Sequence, residues 1–279
     1  MFESAELGHK IDRKTFQKEV PQLRADLLDV QFDLLQKREF PVVILISGVD
    51  GSGKSETINL LYSWMDPRHI STLAFSAPSD EERERPFMWR YWRALPPKGK
   101  IGIFAGSWYS QPIADRIQKK MKRAEMEEVL DEINRFEAML VNEGALVLKF
   151  WFHLSKDAQK TRLKAIEKDP RTAWRVTKAS WDRLKTYDAL QSVAGHVLRV
   201  TNTAHAPWTI IEGTDDNYRS LTVGHIVRDS IRKHLEQTTR GSVPVAPPIV
   251  PAIDSRTVLS ELDLAQTIEK KAYEKELAK

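Results

Sequence analysis

Apolar residues recur at Phe16, Val20, Leu23, Leu27, Val30 and Leu34, at spacings of four, three, four, three and four. That period puts them on one face of a helix, with charged residues on the other. Pro21 falls inside the pattern and predicts a kink or a later helix start, because proline lacks an N–H and crowds the preceding turn. The pattern then changes. Pro41 to Ser47 is a continuous apolar, β-branched run, as expected of a strand buried on both faces. A glycine-rich turn and a helical pattern from Glu56 to Trp64 follow. Further strands are expected at Ser71–Ser76, Ile101–Phe104, Ala145–Phe152 and Trp208–Ile211. Helices fit between them near Phe87–Leu95, Ala124–Val141, Asp157–Glu167, Trp181–Leu190 and Ser220–Leu235. Strand alternating with helix predicts an α/β fold, a mostly parallel five-stranded sheet covered on both faces, in one domain over residues 1–237.

After Gln237 the composition shifts. Residues 238–258 hold Pro244, Pro247, Pro248 and Pro251 with Gly and Ser, and read as a linker. Residues 268–277 then echo 11–20 without a gap: four of ten positions are identical and five more keep their character. A second, truncated copy of the domain is therefore expected to begin within 259–279. Two Lys/Glu-rich helices can also resemble each other by chance.

Composition narrows the class. The 279 residues include no cysteine, which excludes disulfides, cysteine nucleophiles and thiolate metal sites. It suits a cytoplasmic protein. A formal charge of +4 is too small to point to nucleic acid, and no nucleic-acid motif is present. No apolar run reaches the roughly 18 residues a membrane span needs, and the N-terminus lacks the pattern of a secretion signal. The histidines show no metal-ligand spacing.

Gly48-Val49-Asp50-Gly51-Ser52-Gly53-Lys54-Ser55 fits the phosphate-loop pattern G-x-x-x-x-G-K-[ST], between an expected strand and an expected helix. Gly48, Gly51 and Gly53 let backbone N–H groups converge on phosphate oxygens, and the helix start adds its positive dipole end. Lys54 would reach the terminal phosphates and Ser55 would ligate Mg²⁺. Asp50 is unusual there: a carboxylate repels phosphate unless it approaches a metal or orients an acceptor. The bland alternative is a turn aspartate that caps backbone N–H groups.

Lys156 to Lys185 carries ten basic and four acidic residues. Such a segment late in a phosphate-loop domain suits a lid over transferring phosphates, about 156–190, or a channel for a long polyanion. It also suits a solvated helix face. Arg116, Lys119, Lys120, Lys122 and Arg123 could extend that surface. Trp89, Trp92, Trp108, Trp174 and Trp181 lie near charged segments; most tryptophans are packing residues, and spacing alone does not select one to stack on a base.

Together these residues carry a likeness. The phosphate loop with Asp50, then Phe104-Ala-Gly-Ser-Trp-Tyr109, His153-Leu-Ser-Lys156, Asp169-Pro170, Trp174, Ser180-Trp181-Asp182, Tyr187-Asp188 and Ala206-Pro207-Trp208 resemble the polyphosphate kinase 2 family. The member type most similar is the polyphosphate:AMP phosphotransferase with two fused copies of the domain, of which this would be the N-terminal one. The resemblance covers roughly residues 10–236. It implies a thymidylate-kinase-like, three-layer α/β/α P-loop fold with a helical lid. It implies phosphoryl transfer from polyphosphate to AMP or another nucleotide, with Mg²⁺. By the same resemblance Lys54, Asp50, Arg162, Arg171 and Arg183 would serve transfer, and Lys178 would join Gly48, Gly51, Gly53, Lys54 and Ser55 in holding phosphate. Asp50 and Ser55 would face the metal. Expected partners are polyphosphate and AMP or ADP, and either a second copy of the chain or a fused second domain.

One departure stands out. The family's Asp-Arg pair before the Ser-Trp-Tyr is replaced by Ala105 and Gly106. Ala and Gly can neither hold Mg²⁺ nor neutralise phosphate, so rate should fall by orders of magnitude unless Asp50 or Asp80 substitutes. The alternative function is a non-catalytic, polyphosphate-binding or architectural domain supporting an active second copy. A different nucleotide kinase fits the Ser-Trp-Tyr and lid pattern less well.

Overall fold

The computed structural model describes residues 1–239 and 265–277. In chain order the helices are α1 (Arg13–Lys37), α2 (Lys54–Trp64), α3 (Asp80–Arg83), α4 (Trp89–Trp92), α5 (Ser110–Ile117), α6 (Arg123–Asn142), α7 (Lys156–Lys168), α8 (Lys178–Lys185), α9 (Tyr187–Val200), α10 (Asp216–Thr239) and α11 (Lys270–Leu277). The strands are β1 (Val42–Gly48), β2 (Ile70–Ala74), β3 (Ile101–Ala105), β4 (Leu146–His153) and β5 (Trp208–Glu212). They form one parallel sheet in the order β2-β3-β1-β4-β5.

Alternation along β1 divides the core in two. Val42, Ile44 and Ile46 pack with Leu23, Leu27, Val30 and Leu34 of α1, Leu61 and Trp64 of α2, and Leu221, Val227 and Ile231 of α10. Val43 and Leu45 face the other way, toward Tyr91, Ile113, the Met126–Leu130–Ile133–Phe136 stripe of α6, and Val197 and Leu198 of α9. The result is the expected three-layer arrangement, and β1 is apolar throughout because it is covered on both faces.

Some local expectations shift. Helix α1 starts eight residues before Pro21, because Asp12 caps it by accepting from the backbone N–H groups of Lys14 and Thr15. A late start is thus excluded. The helix expected near Phe87–Leu95 is only the single turn α4, and the one expected over Trp181–Leu190 breaks at Thr186 into α8 and α9. Residues 238 and 239, expected in the linker, close α10. The rest of the proline-rich stretch falls outside the described residues.

Two compact units are distinguished, Met1–Arg240 and Gly241–Lys279. In the second, Tyr273 and Leu277 of α11 and Ile268 just before it are exposed. Among the described residues no helix is long and apolar enough to cross a membrane.

Candidate phosphoryl-transfer site

Central strand β1 has neighbours on both sides whose chain connections run in opposite directions, so a crevice opens at its C-terminal end. The phosphate loop occupies that crevice. Gly48, Gly51 and Gly53 all adopt positive φ, and Ser52 Oγ donates to Val49 O at 2.7 Å to hold the curl. Gly53 is required for a second reason. A Cβ there would lie 2.2 Å from Arg219 Cζ, so the guanidinium of α10 lies directly behind the loop. Arg219 is buried, donates to Gly213 O at 3.0 Å and pairs with Asp216 at 2.9 Å. Asp216 also faces Arg162 at 3.6 Å. Sequence reasoning missed Arg219, for it lies 165 residues beyond Lys54 with no motif to mark it.

Lys54 Nζ donates to Gly48 O at 2.8 Å and Val49 O at 2.6 Å. Burial pushes its pKa down, while the Asp50 carboxylate pulls it partly back up. Two cavities meet at this lysine. The larger, about 670 Å³, is walled mainly by Ile46, Ile113, Ile117, Trp151 and Leu190. The smaller, about 240 Å³, is polar and includes Gly51, Gly53, Ser55, Glu56 and Arg175. Asp50, Lys54 and Arg183 line both.

The basic residues of 156–185 fall into two groups. Arg183 of α8 pairs with Asp50, and Arg175 pairs with Glu56 at 2.6 Å. Arg162 packs over Gly51, with its Cγ 3.4 Å from where a Cβ would stand. Arg171 instead pairs with Asp169 at 3.0 Å, and neither it nor Lys178 lines either cavity. Asp80 lies in α3, paired with Arg83 and outside both cavities. Of the five tryptophans singled out from sequence, none lines these two cavities; Trp151 does.

Asp50 and Ser55 offer oxygen donors on the wall of the smaller cavity. Mg²⁺ keeps several waters and phosphate oxygens and needs only one or two protein ligands, so this donor set fits it. Among the described residues no group of three or more His, Cys, Asp or Glu could hold a metal by itself.

At the end of β3, Ala105 and Gly106 stand where the resemblance places an Asp-Arg pair. Gly106 lines the larger cavity with φ +83°, a conformation that L side chains rarely adopt. The next residues are held from below. Trp108 Nε1 and Tyr109 Oη donate to Glu137 Oε1 at 3.0 and 2.6 Å. Lys149 Nζ donates to Glu137 Oε2 and to Thr201 O, both at 2.7 Å. The whole cluster is buried. Burial, reinforced by the Glu137 charge, pushes the Tyr109 hydroxyl's pKa well up. Burial pulls that of Lys149 down against Glu137. Sequence reasoning missed both Lys149 and Glu137; the signal for Lys149 was its place as the one charge inside the apolar run Ala145–Phe152.

A parallel sheet with a phosphate loop at its switch point, and two cavities meeting at Lys54, define a P-loop kinase-like protein. The family model for polyphosphate kinase 2 (PPK2) matches residues 10–239, and the chain belongs to that family. It is 49% identical over 279 residues to the polyphosphate:AMP phosphotransferase of Pseudomonas aeruginosa, covering all of this chain and 56% of that protein. It is 44% identical to the enzyme of the same name from Pseudomonas syringae pv. tomato, over 99% of this chain and 56% of the relative. The chain thus spans about half the length of these relatives. The crystal structure of a polyphosphate kinase 2 from P. aeruginosa superposes with TM-score 0.79 at 45% identity, over 100% of this chain and 53% of that one. That of Arthrobacter aurescens polyphosphate kinase 2 gives 0.78 at 25% identity, over 81% and 82%.

Proposed function

We propose that the protein carrying this chain transfers a phosphoryl group from polyphosphate to AMP, giving ADP. The observation that supports this most is the meeting of two unlike cavities at Asp50, Lys54 and Arg183. A polar chamber suits a phosphate chain, and an apolar-walled one suits a nucleoside. Transfer needs their phosphates in line at one point. In the step, an oxygen of the AMP phosphate forms a bond to the terminal phosphorus of polyphosphate. The bridging P–O bond behind it breaks, and its electron pair leaves with the shortened chain.

Lys54 exchanges its hold on the Gly48 and Val49 carbonyls for phosphate oxygens, and Arg183 leaves Asp50 to neutralise the transferring group. Mg²⁺, held by Asp50 and Ser55, would screen the charge that builds on the phosphates. Residues 156–190 act as the lid, on the strength of the Arg175 and Arg183 clasps.

A second reading rests on Ala105 and Gly106. With neither charge of the expected pair present, this domain binds both ligands without turning over, and chemistry belongs to a second copy starting within 259–279. Ile11, Phe16 and Val20 pack against the core, while Ile268, Tyr273 and Leu277, at the same offsets in the echo, are exposed. They would seat α11 on that second copy.

The test is ADP formation from AMP, Mg²⁺ and polyphosphate by residues 1–279, with calorimetric binding of polyphosphate alongside. Turnover lost in Lys54→Ala supports the first reading. Binding without turnover supports the second, and absence of both binding and turnover refutes both.

A further inference from the structure

Three polar groups in the wall of the larger cavity have no role in the account above. Ser47 Oγ, Trp151 Nε1 and Gln159 Oε1 are buried and have no hydrogen-bond partner among the described residues. All three residues line that cavity. They come from separate elements brought to one place. Ser47 and Trp151 are register partners on adjacent parallel strands β1 and β4, so their side chains leave the sheet on the same face. Gln159 is in the second turn of α7. Trp151 and Gln159 are 3% and 2% exposed, so bulk solvent has little access to them.

Buried polar groups are nearly always satisfied, and the exceptions gather where a ligand completes them. Here the set is a donor in Trp151, a donor or acceptor in Ser47 and an amide in Gln159. Around them stand Ile113, Ile117 and Leu190, while Lys54 and Arg183 lie on the same wall. Apolar flanks with a few hydrogen-bonding groups suit a flat heterocycle that carries both donors and acceptors on its edge. Cationic groups at the wall suit a phosphate attached to it.

We infer that Ser47, Trp151 and Gln159 read the base of a nucleoside monophosphate bound in the larger cavity. The inference rests on the reading of that cavity as the nucleotide chamber, and it holds whether or not this domain turns over. The Gln159 amide accepts from a base N–H, Trp151 Nε1 donates to a ring nitrogen or carbonyl, and Ser47 supplies the third bond.

The experiment measures calorimetric binding of AMP, ribose 5-phosphate and tripolyphosphate to residues 1–279 and to Trp151→Phe and Gln159→Met. Both substitutions delete the hydrogen-bonding group; Gln159→Met keeps the side chain's length, and Trp151→Phe keeps an aromatic ring but removes part of its volume. AMP is expected to bind at least about tenfold tighter than ribose 5-phosphate, and each variant to lose about tenfold of AMP affinity. Ribose 5-phosphate and tripolyphosphate binding stay unchanged, and the melting temperature of unliganded Gln159→Met stays level or rises. A rise is expected because the orphaned group is gone; a purely structural role would lower it.

Equal affinity for AMP and ribose 5-phosphate overturns the inference and leaves the proposed function standing. So does unchanged AMP binding in both variants, which would mean that water satisfies the wall. A parallel loss for tripolyphosphate overturns it too, by showing that the whole site was disturbed. If the unaltered chain binds neither AMP nor tripolyphosphate, the proposed function falls with it.

Discussion

Arg183 of α8 and Asp50 of the phosphate loop form an ion pair across 133 residues of chain. The acid that looked out of place in a phosphate loop ties α8 to that loop. Its charge is answered by Arg183, so under the proposed function Asp50 and phosphate would compete for one guanidinium. Asp50→Asn removes both the competitor and a like charge. Binding of Mg²⁺-free tripolyphosphate should rise roughly fivefold at low salt and the gain should shrink as salt is added. Calorimetry across a salt series checks this, and weaker binding in the variant would contradict it.

The buried Lys149–Glu137 pair is 2.7 Å long and fully enclosed. Removing one partner strands the other charge, so Lys149→Met should destabilise the chain by about 3–5 kcal/mol. Adding Glu137→Gln should recover most of that, since an amide oxygen still accepts from Trp108 and Tyr109. Denaturant unfolding of the single and double variants decides it. Additive losses would show that the two side chains do not act as a pair.

Glu56 gives a pH dependence. Burial raises its pKa, but the hydrogen bond from Arg175, a backbone hydrogen bond and the charges of Arg175 and Arg219 together outweigh this and the net shift is downward from 4.5. A depressed carboxylate adds stability above its unfolded value, and that contribution disappears as pH falls through the lower folded value. The unaltered chain should therefore melt roughly 2 °C above Glu56→Gln at neutral pH. The gap should close below pH 4.5. A gap that persists at pH 3 would place the effect elsewhere.

Restoring the absent pair is not a symmetrical operation. Ala105 ends β3 in ordinary strand geometry, so Ala105→Asp should fold without strain. At Gly106, φ is +83° and a Cβ would stand 3.3 Å from Phe75 O. Gly106→Arg should cost about 1–2 kcal/mol, and the melting temperature should show it. We expect Ala105→Asp alone to raise Mg²⁺-dependent ADP formation, and the double variant to add little until the turn relaxes. Equal melting temperatures for Gly106→Arg and the unaltered chain would remove the strain argument.

Much of this protein was legible along the chain, because the signals were local. Period 3.6 marked α1, the continuous apolar run marked β1, and the spacing of Gly48, Gly53, Lys54 and Ser55 marked the phosphate loop. Each depends on residues within a few positions of one another. The placement of Lys54 at the edge of a sheet follows from the strand–helix alternation around it. What the sequence could not express was which distant groups meet. Arg219 behind Gly53, Glu137 under Trp108 and Tyr109, and the shared face of Ser47 and Trp151 all depend on strand order and register. The break between α8 and α9 likewise follows from tertiary packing: α9 packs on α5 while α8 carries Arg183 to the loop. The basic residues between Lys156 and Lys185 looked equivalent as a run of charge. Only the fold separated Arg175 and Arg183, which reach the site, from Arg171, which binds its own neighbour, because charge acts through distance in space rather than position in the chain.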